Sequence, residues 1–295
     1  MATAAGAPDQ PLAKRRQIRL SRRIVSFGGW TLAGLCLLVL SVLMIWILVV
    51  VFLRGVGALK WTTLTTITQG NGGGLLNAIE GTLVLSVGAL LLAVPFGVAS
   101  GIYSAEYPNS PWAKTIRFLA DVLVGVPSIV VGYFGYVGMV QWLGWNFSVA
   151  AGSISLAIIS LPYICRTTEL ALRQVPNDLR DAAYSLGADE RRVVLGVCLP
   201  VATPAILTGV LLALAVSVGE TAPLLYTAGW SNFMWDGHLT KSPIGYLTYA
   251  IWTFINEPFA SANRLAYAAA FLVTGFVLII NILARFVLER RAKRI

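Results

Sequence analysis

Asn177–Pro200, NDLRDAAYSLGADERRVVLGVCLP, is a polar, charged stretch inside a sequence that is otherwise mostly hydrocarbon. Its spacing predicts a compact helical hairpin. Asn177 is placed to cap a first helix after Pro176, with Asp178 and Asp181 favourable in its positive first turn. Leu179, Ala182, Ala183 and Leu186 recur at i, i+3, i+4 and i+7 and so share one face. Gly187 then ends the helix at a position that tolerates positive φ. Asp189 caps a second short helix, Glu190 to Cys198, and Pro200 opens the next apolar run. Two small alanines on the ridge let another surface approach closely, which suits docking.

Working outward, the composition sets the class. The chain has 295 residues, of which 57% are hydrophobic and only 12% charged. These values indicate a polytopic membrane protein. The formal net charge of +9 invites a nucleic-acid reading, but the positions of the charges oppose it. Six spans with both termini inside leave only Arg54, Lys60, Lys241 and Arg264 outside. That is the positive-inside bias, so the basic character reflects topology and no nucleic acid is expected.

The expected organisation has three parts. Residues 1–23 form a basic, disordered cytosolic tail attracted to anionic lipid. Residues 24–288 form one transmembrane domain, and residues 289–295 a second basic cytosolic tail. The first run, Ile24 to Leu53, is too long for a signal-peptide core and reads as a retained helix. The later spans are expected at about Asn77–Tyr103, Arg117–Leu143, Ser148–Thr167, Val201–Tyr226 and Leu265–Leu288. Gly125, Pro127, Gly132, Gly135 and Gly138 make the third span breakable. Thr227 to Asn263 is read as a long aromatic outer loop. The fold class is therefore all-α, a six-helix polytopic membrane protein with a cytosolic hairpin.

Several kinds of chemistry are excluded. The GNGGG run at Gly70–Gly74 is not a phosphate loop, because no lysine in the chain follows a glycine. If ATP is used, another subunit binds it. Cys36, Cys165 and Cys198 show no metal or disulfide spacing, and His238 is the only histidine. Neither a metal site nor a catalytic residue is expected.

Glu220 is the most informative single residue. Counted from Pro204 at helical rise, it lies roughly 24 Å along a ~30 Å hydrocarbon core. A carboxyl there costs about 2.5–3.5 kcal/mol, so it faces a cavity, pairs, or carries a proton. The functional reading is a residue lining a translocation path; the alternative is a neutral acid bonded to a neighbouring helix. Thr221 and Pro223 add a hydroxyl and freed backbone groups to that lining. Arg166 and Glu169, at i and i+3, can pair on one face. Arg166 also reads as an ordinary topological anchor, and Asp121 as a satisfied interfacial residue. Ser128, after Pro127, can expose its hydroxyl and amide at a broken helix, which suits an anionic substrate.

Two resemblances follow from these residues. Asp181-Ala182-Ala183, Gly187 and Leu199-Pro200 resemble the "EAA" loop of ABC-importer permeases, with aspartate for the usual first glutamate. PFGVASGIYSAEY (Pro95–Tyr107), VPSIVVGYFGY (Val126–Tyr136), RTTE (Arg166–Glu169) and GETAPLLYTA (Gly219–Ala228) resemble the A-type permease of bacterial phosphate importers. The likeness spans most of residues 75–288. It implies a non-enzymatic permease subunit of a phosphate importer in the cytoplasmic membrane. It also implies a second homologous permease, an ATPase dimer docked on residues 177–200, and an extracytoplasmic phosphate-binding protein. By the same likeness this chain binds no cofactor, ATP and Mg belong to the ATPase subunits, and Arg166, Glu169 and Glu220 match the family's charged set. Where many relatives carry an arginine four residues before the glutamate, this chain has Val216. The rival readings are a permease for another oxyanion such as molybdate or sulfate, and a stand-alone secondary transporter or channel. An intramembrane enzyme finds no support, because Glu220 has no identifiable catalytic partner.

Overall fold

The structure, a computed structural model, describes residues 12–292. Parts of the expected tails, residues 1–11 and 293–295, lie outside the described residues. The chain divides into two units: residues up to Leu53, and residues from Arg54 onward. The first unit is helical from Leu12, so the basic stretch expected as a tail enters the first helix, α1 (Leu12–Ala58).

The second unit is built on α3 (Leu76–Glu106), preceded by the single-turn α2 (Trp61–Thr65) and a small β-hairpin, Thr68–Gln69 with Gly72–Gly73. Buried Asn77 fixes this entrance. Its Oδ1 accepts from the Thr68 amide and hydroxyl, each at 3.0 Å, and its Nδ2 donates to the Ser231 carbonyl at 2.8 Å. α6 (Val149–Arg173) runs parallel to α3, and small residues set the close approach. A Cβ at Gly97 would meet Ile164, and one at Gly101 would meet Thr168. α9 (Leu199–Gly219) crosses α6 antiparallel, with Gly209 against Thr167 and a 2.8 Å hydrogen bond between the hydroxyls of Ser160 and Ser217. Leu85, Leu156, Ile164, Ala213 and Leu224 form the core between these helices. α12 (Ala260–Ala292) packs on α9 and on α11 (Leu247–Phe254).

Five helices among the described residues are long and apolar enough to cross a membrane, and a bent pair makes a sixth. That pair bears out the expected break in the third span. α4 (Pro111–Gly125) and the run from α5 (Ser128–Gly135) through a π-helical turn, Tyr136–Trp142, meet at 101°. Pro127 explains the break. It excludes Val126 from helical geometry, and Val126 is extended at φ −76°, ψ 126°.

The fifth span is corrected. It stops at Gly219 rather than running to Tyr226, and α10 (Ala222–Thr227) resumes after a two-residue corner. Pro223 is again the cause, because it has no N–H to donate to the carbonyl of Gly219. The aromatic outer loop, Thr227 to Asn263, contains α11.

The hairpin forms as α7 (Asn177–Ser185) followed by α8 (Glu190–Arg192), with Gly187 at φ +79°. Pro176, not Asn177, occupies the cap position, because its fixed φ already turns the chain into the helix. Asp189 does cap α8 by position, but its carboxylate pairs with Arg192 at 3.5 Å and leaves the amides alone. The second helix does not end at Cys198. Glu190 to Gly219 is one helix, passing through a π-helical turn at Val193–Cys198. The wider turn accommodates Pro200, whose ring would otherwise crowd the carbonyl four residues back.

Candidate functional site

Two polar assemblies carry the charged and hydroxylic residues of the bundle. The first lies toward the hairpin end, where α4 leans on α6. Glu169, with a side chain only 3% exposed, is ringed by three guanidinium groups: Arg117 Nε at 2.6 Å, Arg173 Nη2 at 2.8 Å and Arg166 Nη1 at 3.2 Å. Arg166 also donates to Asp121 Oδ2 at 2.6 Å. Arg117 further donates to the carbonyls of Ser104, at 2.6 Å, and Pro108, at 3.0 Å. One buried carboxylate thus fastens α4 and the end of α3 to α6. Such a group stays buried only because charged donors surround it. With Asp121 counted, the cluster keeps one net positive charge.

The expected pairing of Arg166 with Glu169 is therefore present, and so is a partner for Asp121. Arg117 and Arg173 are additions. Arg173 was legible in the sequence, since Arg166, Glu169 and Arg173 fall at i, i+3 and i+7 on one helix face. Arg117 reaches the cluster from another helix and gave no local signal.

The second assembly surrounds the corner between α9 and α10, at the opposite end. Glu220 lies just past the helix rather than inside it, extended at φ −72°, ψ 137°. Its amide donates to the Ser217 carbonyl at 3.3 Å, and its carbonyl accepts the Thr248 hydroxyl of α11 at 2.8 Å. Its carboxyl faces the hydroxyl of Ser128, at the start of α5. The beginnings of α5 and α11 therefore meet at the corner that leads into α10, Ser128 on the side of the Glu220 carboxyl and Thr248 on its backbone carbonyl. Gly132 allows this convergence, since a Cβ there would come within 2.5 Å of the Pro223 Cα. Thr221 sits half-buried at the corner without a side-chain capping bond.

Ser128, Glu220 and Thr221 are thus brought together, whereas Arg166 and Glu169 are not part of the same group. Taking the Ser160–Ser217 bond as a level mark, Arg166 lies roughly 9 Å to one side and Glu220 roughly 5 Å to the other. Sequence reasoning missed Thr248 and Tyr246, which reach the corner from a distant segment.

At the hairpin, Asp181, Ala182 and Leu186 are exposed, Leu186 at 89%, while Ala183 packs inward beside Leu172, Val193 and Cys198. Arg180 anchors α7 to the end of α3 through a fork on Glu106, at 2.7 and 2.9 Å.

Among the described residues no group of acids, histidines or cysteines could hold a metal, and the cysteines are free. The corner and the cluster offer hydrogen-bond donors and fixed charge, with no paired nucleophile and base. A recess of about 580 Å³ between α3 and α6 is lined almost wholly by hydrocarbon, including Leu83, Val87, Leu91 and Ile154, and gives an anion little to bind.

Comparison with known proteins agrees with this architecture. Residues 93–294 match the family described as "Binding-protein-dependent transport system inner membrane component". A Mycobacterium tuberculosis (strain CDC 1551 / Oshkosh) protein, "Phosphate transport system permease protein PstA 2", is 45% identical over 279 residues, 94% of this chain and 93% of that protein. "Phosphate transport system permease protein PstA" of Yersinia pestis is 42% identical over 252 residues, 84% of each chain. In fold, the chain is similar to a solved structure, "Inward facing conformations of the MetNI methionine ABC transporter: CY5 native crystal form", with a TM-score of 0.58 at 18% identity over 74% of this chain and 94% of that one. The resemblance to phosphate-importer permeases agrees with the names of these relatives. This multi-pass membrane protein belongs to the binding-protein-dependent transport system inner membrane components.

Proposed function

We propose that the chain is the transmembrane permease subunit of an ATP-driven importer that carries inorganic phosphate across the cytoplasmic membrane, with both termini cytosolic. The observation that carries this reading is the identity of 42–45% to phosphate-system permeases over most of the chain. The subunit performs no covalent chemistry. It pairs with a second homologous permease, receives phosphate from an extracytoplasmic binding protein, and engages an ATPase dimer, which holds ATP and Mg, through Asn177–Pro200.

The geometry supplies a route for the mechanical step. The exposed ridge of Asp181, Ala182 and Leu186 is the docking surface, and Gly187 sets its turn. Ala183 and the Arg180–Glu106 fork connect that ridge to α3 and to the start of α9. A push on α7 therefore acts on the two helices that pack against α6, and switches the cavity between outward- and inward-facing states. Phosphate carries one or two negative charges near neutrality and needs donors to replace its hydration. The net-positive cluster around Arg166 and Glu169 attracts it from one end. At the other end, Glu220, Ser128 and Thr221 mark the outer part of the path, where broken helices leave hydroxyl and backbone groups uncommitted.

The test is reconstitution with the two partner subunits and the binding protein. Phosphate should stimulate ATP turnover, and molybdate or sulfate should not. Stimulation by another oxyanion alone, or flux from this chain without ATP, would refute the assignment.

A further inference from the structure

The corner beyond Glu220 borders a small cavity of about 10 Å³, walled by Thr82, Ser86, Ser217, Glu220, Tyr246 and Thr248. That is room for roughly one water and far too little for phosphate. Tyr246 is 1% exposed, and its hydroxyl has no hydrogen-bond partner among the protein atoms. A buried hydroxyl left this way is costly, so the cavity needs an occupant that satisfies it.

The donors and acceptors of the wall identify the occupant. The Thr248 hydroxyl spends its proton on the Glu220 carbonyl. The Thr82 hydroxyl donates to the Ala78 carbonyl at 2.7 Å and accepts from the Leu247 amide at 2.9 Å. Ser217 either donates to the Ser160 hydroxyl or accepts from it. What these groups leave over is mainly lone pairs, whereas Tyr246 brings an uncommitted proton. A water accepts from Tyr246 and donates its own two hydrogens to the lone pairs, which makes the three bonds usual for a buried water. A monovalent cation would satisfy the lone pairs but leave the Tyr246 proton with nothing to receive it.

We infer that this cavity holds one ordered water that ties Tyr246 to the α9–α10 corner, and that Tyr246 is thereby a positioning residue for Glu220. α11 then holds the corner at two points, directly through Thr248 and through the water bound by Tyr246. The water site stands on its own, whereas its effect on uptake rests on the reading of Glu220 as part of the phosphate path.

The experiment uses the assembled complex. Tyr246→Phe removes the unpartnered hydroxyl while keeping the ring. Water bound there predicts a melting temperature lower by roughly 2–4 °C for a loss near 1 kcal/mol. A dry cavity predicts no change or a rise, and that result would overturn the site. Ser86→Ala combined with Tyr246→Phe should lose less than the sum of the single changes, because both act on one occupant. A high-resolution structure of the unaltered complex should place a solvent peak within hydrogen-bonding distance of the Tyr246 oxygen. An empty cavity would overturn the proposal, as would stabilisation that depends on sodium rather than choline in the buffer. For positioning, Tyr246→Phe should slow phosphate uptake in the native background and change nothing further in Glu220→Gln. Additive losses would show that Tyr246 does not act through Glu220. The melting and structural readouts need no transport, so a wrong substrate assignment leaves them intact.

Discussion

Replacing Arg180 with methionine keeps the length of the side chain but removes both arms of the fork on Glu106. The two bonds are 2.7 and 2.9 Å long, and the side chains are only 19% and 10% exposed. Hydrogen bonding to Glu106, helped by its charge, raises the Arg180 pKa above the usual guanidinium value, so the guanidinium keeps its charge at any workable pH. Removing one member of a fully buried pair costs about 3–5 kcal/mol, mostly through the charge left behind. This pair keeps some contact with water, so about 2–3 kcal/mol is the reasoned figure. At 1.4 kcal/mol per factor of ten, opening of the hairpin becomes about 30- to 150-fold more frequent. Hydrogen exchange measures this directly. The amides of Asn177–Ser185 should exchange faster by that factor, with those of Ala260–Phe286 unchanged. Adding Glu106→Leu should recover much of the loss, since no charge is then stranded. Exchange in α7 within threefold of the native rate would refute the fork as the anchor of the hairpin. Equal acceleration in every helix would refute the claim that its effect is local.

Other perturbations give distinct signatures. Gly187→Val meets no neighbouring atom, so its cost of about 1–2 kcal/mol comes from the backbone at φ +79°; uptake should fall while membrane insertion stays normal, and Gly187→Asn should be milder. Glu169→Gln faces three guanidinium groups with a neutral amide and should lower the level of intact protein in the membrane sharply, whereas Arg173→Ala, at a side chain 43% exposed, should cost only about 0–1 kcal/mol. Glu220→Gln should reduce phosphate uptake, and unchanged uptake across neutral pH would leave Glu220 with a packing role alone. Tyr107, just past α3, is held above its ordinary value of 10.0 first by a hydrogen bond to Glu190 and then by that carboxylate's charge. The neutral phenol is the favoured form, so this contact is intact at neutral pH and is lost as pH rises through the raised value; ultraviolet titration should find Tyr107 ionising at lower pH in Glu190→Gln.

What was legible in the sequence depended on how far each feature reaches along the chain. The turn at Gly187, the small residues of α3 and the pairing of Arg166 with Glu169 are set by spacings within one or two helical turns, and all are present. The breaks were only half legible. Pro127 signalled that the third span bends, but the 101° angle depends on where α4 is held, and that is decided by Arg117 crossing to Glu169. Pro223 carried the equivalent signal for the fifth span. Counting hydropathy alone ran past it, because Ala222, Leu224 and Leu225 are as apolar as the helix before them. The missing donor opposite Gly219 outweighs that continuity.

The same reasoning explains why Glu220 lies where it does. Within a regular helix its carboxyl would lie against hydrocarbon or a neighbouring helix, with its backbone groups already used. At a corner, the interrupted ladder frees backbone groups, and the starts of α5 and α11 can meet there. Ser128 then reaches the carboxyl, and Thr248 takes the carbonyl. Neither contact has a local signature, since Ser128 and Thr248 lie on opposite sides of Glu220 in sequence and meet it only after two helices have broken. The breaks at Pro127 and Pro223 are therefore the condition for the polar site: a straight six-helix bundle of this composition would have no place for that carboxylate.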